Sequence, residues 1–84
     1  MNAEQLKQRL KSFAYRCVNV CESLPKKRIG KIIEDQLLRS SFSSAANYRA
    51  ACRAQSSKQF LAKLNIAVEE IDESQFWLEV ISEL

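Results

Sequence analysis

Residues 26–54 read KKRIGKIIEDQLLRSSFSSAANYRAACRA, and this stretch decides the fold. Taken as one helix at about 100° per residue, it gathers Arg28, Lys31, Arg39, Arg49 and Arg53 within an arc of roughly 80°. The opposite face carries Ile33, Leu37, Ala45, Tyr48 and Cys52. A core-facing stripe is thus backed by a cationic ridge, which indicates a binding surface rather than a site of chemistry. One segment of the stretch, RSSFSSAAN, is poor in strong helix formers, and its Ser hydroxyls compete for backbone groups. A break near Ser43, with Ser43 or Ser44 capping a separate helix, is the alternative. Against it, Leu37, Ser41, Ser44, Tyr48 and Cys52 continue one stripe without a phase shift. Small residues on that stripe would let a neighbouring helix pack closely. Gly30 costs the helix about 1 kcal/mol relative to Ala, which a packed bundle tolerates.

Upstream, Leu6, Leu10, Phe13, Cys17, Val20 and Leu24 follow alternating spacings of four and three. That pattern predicts a helix over about 3–23, with Lys7, Lys11, Arg16 and Asn19 mostly outside its apolar seam. Leu24-Pro25 ends it, because the residue before Pro is pushed out of the helical region. Pro25 then suits the first turn of a helix over 26–54. Downstream, Ala54-Gln55-Ser56-Ser57 makes a turn, with Ser56 or Ser57 as the N-cap. A third helix is expected over about 58–83. Its seam is Phe60, Leu64, Ala67, Ile71, Ser74, Leu78 and Ile81, the cleanest heptad in the chain. A second apolar stripe, Ile66, Trp77, Val80 and Leu84, lies on another side of that helix and implies a further partner. The competing reading is that Trp77 folds over the edge of the bundle.

Composition agrees with three long helices in one domain, residues 1–84. One Gly and one Pro leave little material for turns. A chain of 84 residues buries only about 60% of its unfolded surface, which makes it marginal alone. The overall charge of +3 hides a split. Residues 1–63 hold all 13 basic residues against four acidic ones (Glu4, Glu22, Glu34, Asp35), a net +9. Residues 64–84 hold six acidic residues and no basic ones, a net −6. The first portion attracts polyanions, and the second repels them or pairs with the basic portion of another copy.

Three Cys occur with no His. The odd count and the lack of a signal-peptide pattern suggest a reducing cytoplasm. Cys17 and Cys21, four apart on one helix face, and Cys52 read as small buried hydrophobes rather than metal ligands. No apolar run approaches the ~20 residues of a membrane span, so no membrane partner is expected. Neither a Gly-rich phosphate loop nor a nucleophile elbow is present, so no enzyme, cofactor or small-molecule substrate is expected. Glu69, Glu70, Asp72 and Glu73 form an acidic cluster without a His partner. It reads as a solvated face rather than a di-metal or acid–base site. Asn47, Ser41 and Ser44 read as small packing residues with local hydrogen bonds.

The run QLLRSSFSSAANYRAACRAQSSKQFLAKLNIAVEEIDESQFWLEVI, preceded by LPKKRIGKIIEDQLLRS, resembles the four-helix-bundle family of proteins encoded in intervening sequences of bacterial 23S ribosomal RNA genes. Gln36-Leu37-x-Arg39-Ser40, Asn47 with the NYRAACRA run, and the EE-x-DES-x-x-WLE segment carry the resemblance, which spans essentially the whole chain. It implies long antiparallel helices, a bacterial cytoplasmic protein and ring-like homo-oligomers, pentamers in known cases. Related accessory proteins of diversity-generating retroelements bind nucleic acid on a basic surface. By position, that implies Arg39, Arg49 and Arg53 here. Many members carry N-I-x-E-G where this chain has Asn47-Tyr48-Arg49-Ala50-Ala51, so any role of that Glu and Gly does not transfer. The family pattern also continues past WLE into a fourth helix, which this chain is expected to lack.

Two functions follow. In the first, the chain is a nucleic-acid-binding oligomer whose Arg28, Lys31, Arg39, Arg49 and Arg53 contact phosphates. Leu38 and Phe42, beside the ridge, join Ile66, Trp77, Val80 and Leu84 as interface candidates, although Phe42 could also stack on a base. In the second, the chain is a structural or adaptor module that binds protein only. Its ridge would then pair with the acidic 69–83 segment of a neighbouring subunit.

Overall fold

The computed structural model describes residues 1–84 and contains three helices and no strand: α1 (Ala3–Glu22), α2 (Arg28–Cys52) and α3 (Ser57–Glu83). Asn2 starts α1 with a reciprocal cap. Its side chain accepts from the Gln5 amide at 2.8 Å, and the Gln5 side chain accepts from the Asn2 amide at 3.0 Å. Ser56 starts α3, its hydroxyl accepting from the Gln59 amide at 3.1 Å. Helix α2 runs unbroken through the serine segment, so no separate helix begins at Ser43 or Ser44.

The first turn departs from the expected boundary. Helix α2 starts at Arg28, not at residue 26, and Lys27 caps it without a side-chain hydrogen bond. Pro25 stays outside, where its carbonyl accepts from the Lys27 amide at 2.8 Å. The reason lies one turn into α2. A Cβ placed on Gly30 would sit 2.0 Å from the Pro25 carbonyl oxygen. The turn therefore folds back against the bare backbone of Gly30, and the chain cannot begin its helix until that contact has been made. Gly30 is a place of close approach, not merely a tolerated weak spot.

Helix α2 is the centre of the arrangement. It packs along both neighbours, whereas no Cα of α1 comes within 8 Å of a Cα of α3. Residues early in α1 meet residues late in α2, and residues early in α2 meet residues late in α3. Tyr15 lies against Phe42, Ser40 against Ser74, and Glu4 lines a groove with Arg53. The molecule measures 44 × 20 × 16 Å.

The core is thin. Ala14, Cys17 and Cys21 of α1, Ile33, Leu37, Tyr48 and Ala51 of α2, and Ala67 of α3 are its buried hydrophobic residues. Four serines, Ser40, Ser41, Ser44 and Ser74, are buried with them. Ser40 and Ser74 share a 2.8 Å hydrogen bond across the α2–α3 contact. Ser74 also donates to the Glu70 carbonyl, and Ser44 to that of Ser41. No buried side-chain polar atom lacks a partner. The expected α3 seam is only partly closed, since Phe60 and Ile71 remain exposed while Ala67 and Ser74 sink in. Close approach needs small residues, so the helix rotates its Ala and Ser toward α2 and leaves bulkier seam members at the edge.

Helix propensity alone makes Gly30→Ala stabilising by about 1 kcal/mol. The Pro25 contact reverses that sign. Urea unfolding followed by circular dichroism is expected to show Gly30→Ala less stable by about 1–3 kcal/mol, the usual range for overpacking. A variant as stable as the parent would mean that the turn yields freely.

Candidate nucleic-acid interface

An arc of 80° is wide enough for its two edges to lean on different neighbours, and the five ridge residues divide accordingly. All five are exposed. Arg28 and Lys31 stand at the α1–α2 turn, around a shallow cleft shared with Lys26, Lys27, Glu22 and Glu34. Lys31 pairs with Asp35 one turn on at 3.2 Å, which raises the Lys31 pKa.

Arg39 is at the α3 edge and is not free. Its guanidinium donates to Glu70 at 2.9 Å and to Glu73, tying α2 to α3. The hydrogen bond to Glu73, then that to Glu70, raises the Arg39 pKa further. The acidic cluster is correspondingly not one solvated face. Glu70 and Glu73 turn to α2, while Glu69 and Asp72 stay in water. Arg39 is better understood as a strut than as a phosphate contact.

Arg49 and Arg53 lean the other way, over α1. They line one groove with Lys7 and Lys11, whose rim carries Tyr15 and Phe42. The two rings meet edge to face, with centroids 5.9 Å apart and planes at 75°. Lys7 is 3.4 Å from Glu4, but Lys11, Arg49 and Arg53 have no acidic partner. The contribution of α1 is missed when the middle helix is read by itself. Its signal was in plain view: Lys7, Lys11 and Tyr15 recur every four residues on one face.

The residues expected at an oligomer interface also divide. Leu38 and Trp77 are half-buried and pack against the Cys17–Cys21–Leu37 cluster. The Trp77 indole N–H donates to Glu73 at 3.2 Å, so this ring does fold over the edge of its own molecule. Val80 is half-buried. Phe42, Ile66 and Leu84 remain exposed. The most open apolar side chains of α3 are others, Leu61 at 55% and Val68 at 56% of full exposure, with Ile71 beside them. Leu61 and Val68 lie one position from the expected heptad, whose Leu64, Ile71 and Leu78 their row shares.

Burial raises the pKa of Cys17 and of Cys21, the latter helped by Glu34 and Cys17, so both thiols stay protonated at neutral pH. The Cys52 hydrogen bond, with burial, raises that of Tyr48. No group of three or more Cys, Asp or Glu side chains is placed to hold a metal ion. No helix is long and apolar enough to cross a membrane.

A long all-helical chain with a serine-lined centre and a basic groove is the class that these features define. The chain belongs to the 23S rRNA-intervening sequence protein family, whose pattern it matches over residues 4–84. A crystal structure of a protein of unknown function from the S23 ribosomal protein family of Bacteroides thetaiotaomicron is similar to it. That relative is 37% identical, with a TM-score of 0.87, over 99% of this chain and 74% of its own. No curated protein matches the chain.

Glu73 provides a check on the α2–α3 tie. The Arg39 hydrogen bond lowers its pKa below the ordinary value, with Trp77 adding to the effect. A carboxylate so lowered stabilises the fold above the unfolded pKa of about 4.3 and loses that contribution as pH falls through the folded value. Acidification is expected to lower the unfolding free energy and red-shift the emission of Trp77, the sole tryptophan. Glu73→Gln should flatten that part of the profile. An identical acid profile in the variant would reject the assignment.

Proposed function

We propose that the chain is a non-enzymatic, oligomeric helical-bundle protein that binds RNA or DNA through a basic surface, with little dependence on base sequence. Lys7, Lys11, Arg49 and Arg53 converging on one groove is the observation that carries this reading. Lys7 is paired with Glu4, but Lys11, Arg49 and Arg53 have no acidic partner, and cations so gathered repel one another and are relieved by a polyanion. Arg28 adds positive charge at the far end of α2. The protein works in the bacterial cytoplasm, in keeping with three unpaired cysteines.

Surface area supports the oligomer. The chain exposes 6002 Å². A compact monomer of its mass would expose about 5,100 Å². The excess, about 900 Å², is close to the roughly 800 Å² that each partner contributes to a standard interface. Leu61, Val68 and Ile71 supply its apolar part. We read α1, α2 and α3 as three helices of an up-down four-helix bundle, a reading supported by the lack of close backbone contact between α1 and α3. A further helix packs as the fourth, in keeping with the quarter of the relative's chain that lies outside the match. Repetition around a ring, a pentamer in the family pattern, multiplies the charge of each groove.

The second reading is an adaptor that binds protein only, with Arg49 and Arg53 of one copy meeting the acidic α3 of the next. The net −6 of residues 64–84 is the observation that favours it.

Fluorescence anisotropy with labelled RNA, alongside light scattering for mass, separates the two. A roughly fourfold rise in salt should weaken RNA binding by about 50-fold if four phosphates are neutralised. Arg49→Glu with Arg53→Glu should abolish RNA binding and leave the mass unchanged. An affinity flat with salt, or a variant that falls apart yet binds RNA as before, would overturn the proposal.

A further inference from the structure

We infer that the α1–α2 groove is a site for single-stranded nucleic acid, with Tyr15 as the platform on which a base stacks and Lys7, Lys11, Arg49 and Arg53 as the phosphate contacts beyond it. The inference rests on the nucleic-acid reading above and adds the strandedness of the ligand and the residue that selects it.

Its basis is the order of side chains along the groove. On α1, Tyr15, Lys11 and Lys7 follow one another over about 12 Å. On α2, Phe42 stands opposite Tyr15, and Arg49 and Arg53 continue in the direction of Lys7. Between them Ala45 and Ala46 make a small-residue floor. Aromatic surface therefore lies at one end and four cations along the rest, with Glu4, paired to Lys7, the one carboxylate in the lining. Tyr15 is 55% exposed, so one side of its ring is open to a ligand in the basic groove. Phe42 meets it edge to face, which fixes the angle of the Tyr15 ring without covering it. A duplex presents only its phosphates to such a groove, because its bases are already stacked on each other. A single strand can turn one base onto the ring while its phosphates follow the cations.

The test compares a labelled oligouridylate with an RNA duplex of equal length at fixed salt. The single strand is expected to bind more tightly. Tyr15→Leu should weaken it by about fivefold or more, the loss of one stacked base, and leave the duplex unchanged. Tyr15→Trp should keep the affinity, and its added emission should be quenched by the single strand while that of Trp77 in the parent is not. The quenching readout stands even if the leucine variant folds poorly. Equal binding of both RNAs, with Tyr15→Leu equal to the parent and no quenching in Tyr15→Trp, would overturn this inference alone. Failure of either RNA to bind would overturn the nucleic-acid reading with it.

Discussion

Helices α2 and α3 come together through hydroxyl groups. The Ser40–Ser74 hydrogen bond sits where two apolar side chains would ordinarily interlock, and Ala67 on α3 and Ala51 on α2 are buried further along the same helices. Small residues allow the backbones to approach, and each hydroxyl reaches an acceptor, so the buried polarity carries no desolvation debt. Other features hang on this register. Glu70 lies one turn before Ser74, Glu73 lies next to it, and Arg39 lies next to Ser40. Setting the serines opposite each other delivers the guanidinium to both carboxylates. Glu73 in turn anchors the Trp77 indole, which covers the core cluster from α3.

The contact of α2 with α1 is of a different kind. Ala14, Cys17 and Cys21 bury themselves, but outward of them the two helices diverge into a groove with charged walls. One helix thus has a closed side, where its arginine is neutralised within the chain, and an open side, where its arginines are not. The division follows from partner chemistry. Residues 64–84 carry all the carboxylates that α2 can reach across its α3 side, while α1 brings Lys7 and Lys11 to the groove and its one carboxylate there, Glu4, pairs with Lys7.

Much of the fold was legible in the sequence. Periodicity gave three helices to within a few residues, and the unbroken stripe through Ser41 and Ser44 correctly favoured one middle helix over two. Two errors have physical sources. Pro25 was assigned to the start of α2 by its propensity, but the approach of its carbonyl to Gly30 is a tertiary contact that local rules do not encode. The expected α3 seam includes Ala67 and Ser74, which are buried, but also Phe60 and Ile71, which close packing through small residues leaves at the edge. The candidate site was half legible. A wheel of α2 groups Arg49 and Arg53, which line one groove, but it cannot say that Arg39 is tied to α3 or that α1 brings two lysines and a tyrosine to the others. Those outcomes depend on which helices flank the ridge, and a wheel has no neighbours.

An interface lined by serine and alanine also governs how the molecule responds to heat. Apolar surface exposed on unfolding is what raises heat capacity, and exposed polar surface lowers it. With few large side chains fully hidden, an isolated chain gains little heat capacity when it melts, and its free energy of folding bends gently with temperature. Denaturant sensitivity scales with the same exposed area. A single copy should therefore unfold gradually with denaturant, its stability changing little across the temperature range.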